Sequence, residues 1–96
     1  VRMLTGRPAE VFGIHDRGRL VVGLAGDVTI FDPKTVACSP LRRVYDLPAG
    51  ADRLIADAIG IRAVIVNGVV ISADGRDQVE PDGPLPGRVL RGGARP

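Results

Sequence analysis

No tryptophan, one cysteine and one histidine occur in these 96 residues. Each scarcity closes off a kind of chemistry. The single cysteine, Cys38, excludes an intramolecular disulfide and any cysteine-based metal cluster. The single histidine, His15, leaves a zinc centre short of the three or four ligands it needs. Aromatics make up 3%: Phe12, Phe31 and Tyr45. The core must therefore be aliphatic, and the stacking platforms that hold single-stranded nucleic acid are missing. No apolar run approaches the ~18 residues that cross a bilayer. The N-terminal stretch VRMLTGRPAE has no apolar centre of a signal peptide. No membrane segment is expected, and the lone thiol suits a reducing, cytoplasmic setting.

Charge of one sign is scarce too. Thirteen basic side chains against eleven acidic ones leave a net +2. Twelve of the thirteen are arginines and the other is Lys34, with acids scattered between them. A phosphate-tracking surface wants a basic stripe interleaved with aromatics, and none is visible, so nucleic acid is not an expected partner.

What is present is sheet-forming sequence in one domain's length. Such a short chain buries only about two-thirds of its unfolded surface, so the core is thin. The hydrophobic fraction of 45% is ordinary for a folded chain. Its first residue is Val1 rather than Met, so a piece of something longer is expected.

Val1–Leu4 reads as the last turn of a helix. Thr5 is a candidate cap for a turn or two over residues 7–12. There Pro8 suits a first turn, and Gly13 suits a left-handed stop. Asp16-Arg17-Gly18 signals a turn. Arg19–Val22 and Asp27–Asp32 read as strands around a GLAG elbow, with Pro33 closing the second. Leu41–Leu47 reads as a short extended segment between Pro40 and Pro48. In Asp52–Ile59, Leu54, Ile55, Ala58 and Ile59 sit at helical spacing, which predicts a helical turn or two capped by Asp52 and ended by Gly60. IRAVIV and VVIS, joined by Asn67-Gly68, carry the strongest short signal for a two-residue hairpin. Asp74-Gly75 is a second turn. Residues 76–88 read as a loop, Val89-Leu90 as a last strand pair, and Gly92–Pro96 as a tail. The tally is four to six short strands. Their apolar residues lie on nearly both faces, yet the chain supplies little to cover them.

Chemistry-bearing side chains are isolated. His15 lies beside a turn, far from Cys38, and Cys38 sits in VACSP without a base nearby in sequence. Ser39 and Ser72 stand outside any nucleophile elbow. Gly23-Leu24-Ala25-Gly26 is not G-x-G-x-x-G and leads into a strand rather than a helix, so it reads as a turn and not a phosphate cradle. Asp16, Asp27 and Asp32 near strand ends suit turn capping as well as acid–base work. The expectation is that no catalytic, cofactor-binding or metal-ligating residue lies in this chain.

Several motifs recur in a familiar order. They are Pro8-Ala9, Phe12-Gly13, Asp16-Arg17-Gly18, Gly23 to Asp27, Phe31-Asp32-Pro33, Val66-Asn67-Gly68 and Pro86-Gly87-Arg88-Val89-Leu90-Arg91. Across residues 1–93 the chain resembles the C-terminal end of metal-dependent amidohydrolases, in the branch of N-acyl-D-amino-acid deacylases (D-aminoacylases). Gly26 stands where that family usually has alanine. The resemblance implies a mainly β fold. On it, 1–12 would be the remnant of the last helix of a (β/α)₈ barrel, 13–91 the C-terminal part of a small β-sandwich, and 92–96 a tail. It implies a whole enzyme that hydrolyses the C–N bond of N-acyl-D-amino acids or similar linear amides, with zinc or a similar divalent ion held by the barrel. None of the family's metal ligands maps onto these residues, so the implied role is non-catalytic. The implied partners are the barrel and the N-terminal strands. The alternative reading is a free-standing β-rich module that self-associates through open strand edges.

Overall fold

A computed structural model describes residues 1–91. Among them one α-helix, α1, spans Gly6–Phe12 and follows a 3₁₀ turn at Arg2–Leu4. Gly13 ends α1 in the left-handed region, with φ 68°, and its N–H reaches back to the carbonyls of Ala9 and Glu10. That stop is the one its sequence announces. Thr5 precedes the helix without capping it through its side chain. Its hydroxyl donates instead to the Val1 carbonyl at 2.9 Å.

Eight short strands follow: β1 (Val28–Phe31), β2 (Ala37–Cys38), β3 (Arg42–Val44), β4 (Arg53–Ile55), β5 (Ala58–Ile59), β6 (Ile61–Val66), β7 (Val69–Ala73) and β8 (Arg76–Asp77). Four make an antiparallel sheet in the order β1-β6-β7-β8. The β6–β7 hairpin turns at Asn67 and Gly68, with φ 47° and 79°, as a type I′ turn requires. The β7–β8 hairpin repeats that geometry at Asp74 and Gly75, with φ 49° and 79°. The remaining strands form two two-stranded sheets that follow one another along a single ribbon: β2 pairs β5 and β3 pairs β4. Ser39 and Asp57 bridge the two halves, Ser39 N–H donating to the Asp57 carbonyl and Asp57 N–H to the Ser39 hydroxyl, both at 2.8 Å. Arg53 ties to Asp46, Arg43 to Asp52 and Arg42 to Asp57 along the ribbon.

Five expectations fail. Residues 52–59 form β4 and β5 rather than a helical turn. Cross-strand partners at 37–38 and 42–44 override the helical spacing, and Asp52 pairs with Arg43 instead of capping. Arg19–Val22 forms no strand. Among the described residues no strand pairs with it, and Leu20 and Val22 lie fully in solvent. Residues 76–77 join the sheet rather than a loop, because the Asp74-Gly75 turn folds them back onto β7. Val89-Leu90 pairs with nothing described, and the strand total among the described residues is eight rather than four to six. The expected tail at 92–96 lies outside the described residues.

What the strands lack is a core. Among the described residues only Ala9 is a buried hydrophobic, while Phe12, Leu20, Val22, Leu41 and Val89 are open to water. The surface measures 7944 Å², against about 5,300 Å² for a folded monomer of this mass. The radius of gyration is 16.2 Å, against about 12.5 Å for a compact chain of this length. The fold is mainly β, with open sheets whose apolar faces are only half covered.

Candidate functional site

The densest polar cluster joins three turns that are distant in sequence. Arg17, whose side chain is only 15% exposed, donates from Nη1 to Asp27 Oδ2 at 2.6 Å. Its Nε and Nη2 reach the two carboxylate oxygens of Asp16, each at 3.3 Å. The second Asp27 oxygen accepts the Asn67 backbone N–H at 2.8 Å, and the Asn67 side-chain amide donates to the Pro86 carbonyl at 2.6 Å. Two backbone bonds close the cluster: Ala25 N–H to the Asp16 carbonyl at 2.7 Å, and Gly68 N–H to the Gly26 carbonyl at 2.9 Å. The Asp16-Arg17-Gly18 turn, the elbow and the Asn67-Gly68 turn are thus clasped together. The hydrogen bond from Arg17 holds the Asp16 carboxyl below its ordinary value near 3.8. Asp16 first, and Asp27 after it, hold the Arg17 guanidinium more firmly protonated.

Glycines let the backbones meet there. Gly18 has φ +100°, and a Cβ on it would lie 2.7 Å from Ala9 Cβ and 3.1 Å from the Thr5 carbonyl. So this turn is pressed directly onto α1. Gly26 faces the hairpin turn so closely that a Cβ would stand 3.0 Å from Gly68 N. Beside the clasp, α1 and the following turn line a hollow of about 270 Å³ with Ala9, Gly13, His15, Arg17 and Arg19.

The remaining candidates stay apart. Asp32 folds an Asx turn, accepting Lys34 N–H at 2.9 Å, while its own N–H donates to Gly60 at 2.8 Å. Cys38 is exposed on β2, Ser39 bridges the ribbon, and Ser72 faces Val64 and Asp77 across the sheet. A divalent ion needs several converging donors. Among the described residues no three His, Cys, Asp or Glu side chains converge in that way. These side chains therefore do not fit the divalent ion implied for the whole enzyme. Among them, too, no helix is long and apolar enough to cross a membrane. Sequence reading singled out Arg17, Asp27 and Asn67 as separate turn residues. Their assembly, ten and forty positions apart, leaves no local signal.

The chain belongs to the Amidohydrolase family, whose model matches residues 1–72. It is 41% identical over 91 residues to the N-acyl-D-glutamate deacylase of Alcaligenes xylosoxydans xylosoxydans. That match takes in 95% of this chain and 16% of the deacylase, so the chain spans about one-sixth of that relative's length. Over 32 residues it is 50% identical to a dihydroorotase of Lactiplantibacillus plantarum, covering 33% of this chain and 7% of the dihydroorotase. No solved structure matches.

Proposed function

We propose that this chain is the C-terminal, non-catalytic β portion of a larger amidohydrolase. On this reading the whole enzyme hydrolyses the amide C–N bond of N-acyl-D-amino acids, N-acyl-D-glutamate among them, or of similar linear amides. Residues 1–12 would close the barrel and 13–91 would supply the C-terminal share of a β-sandwich. Zinc or a similar divalent ion, polarising the amide carbonyl and activating water, would belong to the barrel. A cytoplasmic setting suits the lone exposed thiol.

One observation carries the reading. Nearly the whole chain aligns with a sixth of a deacylase, yet its strands bury almost no apolar side chain of their own. Faces so bare in a family member want covering polypeptide. The test is to assay release of free D-amino acid by the 96-residue chain and by the protein encoded in the same reading frame with its upstream region. Hydrolysis is expected from the longer protein alone, with a His-x-His barrel upstream. Amide hydrolysis by the 96 residues would overturn the proposal.

The same bare faces favour a second reading, a self-associating β module. Sedimentation separates the two: concentration-dependent dimers that persist beside the barrel-bearing protein support the second, and capture by that protein supports the first.

A further inference from the structure

We infer that Asn67 is a guarded deamidation site, held unreactive by the clasp and released when the clasp opens. An asparagine followed by glycine is the pair most open to self-modification, because glycine puts no side chain in the way. The Gly68 nitrogen attacks the Asn67 side-chain carbonyl carbon. The carbon–nitrogen bond of the side-chain amide breaks, and ammonia leaves carrying the proton from Gly68. Water then opens the five-membered imide at either carbonyl, giving aspartate or isoaspartate. No other reactant is needed.

Both nitrogens of this reaction, the attacking one and the leaving one, are tied down. Gly68 N–H, the nucleophile, donates to the Gly26 carbonyl at 2.9 Å. The leaving amide donates to the Pro86 carbonyl at 2.6 Å. The Asn67 N–H is anchored on Asp27, itself gripped by Arg17, so the turn cannot swing its nitrogen over the side chain. Attack requires several of these bonds to break together, which makes it a rare local opening. The molecule carries its own contrast. Asp74-Gly75 has the same left-handed backbone, but its side chain meets only Arg62, at 3.7 Å and well exposed. Once formed, isoaspartate adds a methylene to the two-residue turn and a negative charge where the neutral amide met the Pro86 carbonyl. Both loosen the β6–β7 register that such a turn sets.

The test uses the Asp74→Asn chain, which presents two Asn-Gly turns of like geometry, one clasped and the other held by backbone only through the position-74 N–H on the Arg62 carbonyl at 2.8 Å. Isoaspartate would be quantified at each position by peptide mass spectrometry during incubation at neutral pH. In native buffer, position 67 is expected to react about tenfold or more slowly than position 74, the factor that breaking even two net hydrogen bonds supplies. In concentrated urea the two rates are expected to converge. Asp27→Ala is expected to bring position 67 up toward position 74. Hydrogen exchange on the unaltered chain is expected to show the Gly68 amide protected. Equal rates at 67 and 74 in native buffer, or rapid exchange at Gly68, would overturn the inference.

Discussion

Replacing Gly18 with alanine tests whether the turn after α1 is truly pressed against the helix. The added methyl would sit 2.7 Å from Ala9 Cβ and 3.1 Å from the Thr5 carbonyl, on a backbone at φ +100°. The left-handed backbone costs about 1–2 kcal/mol for a residue with a Cβ, and overpacking adds roughly 1–3 kcal/mol. A total of roughly 2–5 kcal/mol is large beside the ~5–15 kcal/mol that holds an ordinary domain. With a urea slope of about 2 kcal/mol per molar, the unfolding midpoint followed by far-ultraviolet circular dichroism drops by roughly 1–2.5 M. Gly23→Ala is the matched control. Its φ of +95° is equally unfavourable, but nothing lies within 4 Å of the added carbon. It is expected to show the backbone cost alone, about half the shift. Pairing Gly18→Ala with Ala9→Gly removes the colliding methyl. The double variant should then recover about 1–3 kcal/mol relative to the sum of the singles. Strict additivity, or equal losses at Gly18 and Gly23, would show that the two backbones do not meet as described.

Three further outcomes are expected. Arg17→Met strips Asp27 of its 2.6 Å partner in a half-buried setting and costs about 1.5–3 kcal/mol by urea titration, with loss of Gly68 amide protection as the local signature. Gly60→Ala would place a Cβ 2.7 Å from both Thr35 Oγ1 and Val36 N at φ +79°, so chemical shifts should move around Asp32 and the start of β6 as the 2.8 Å Asp32–Gly60 bond breaks. Acid should weaken the fold in a defined window. The Asp16 carboxyl is lowered chiefly by Arg17 and that of Asp46 chiefly by Arg53. Their contribution is therefore present above the ordinary value near 3.8 and lost as pH falls below it. An Asp16→Asn, Asp46→Asn chain should show a flatter acid unfolding profile than the unaltered one.

Where the sequence was informative, the signal was local. Asn67-Gly68 and Asp74-Gly75 demand left-handed backbone, and Gly13 offers it at a helix end, so these features need no knowledge of distant residues. Residues 52–59 show the opposite case. Leu54, Ile55, Ala58 and Ile59 satisfy a helical period, but the decision fell to the strands at Ala37–Cys38 and Arg42–Val44, which a one-dimensional pattern does not display. Leu20, Val21 and Val22 look like a strand because they are apolar and branched. A strand also needs a neighbour, and none among the described residues supplies one. The clasp was half legible: Asp16, Arg17, Asp27 and Asn67 each drew notice as turn formers, while their convergence depends on how the elbow folds over the hairpin.

The two-stranded ribbon has a consequence of its own. Its side-chain ties are ionic and wet: Arg42–Asp57, Arg43–Asp52 and Arg53–Asp46 all sit about half in solvent, where such pairs contribute little. At 1 M salt the range of such attractions shrinks to about 3 Å. Brine should therefore loosen the ribbon first, from the tip at Pro48–Gly50 back toward Gly60, leaving it only the backbone bonds of its short strands, while the wider four-stranded sheet outlasts it.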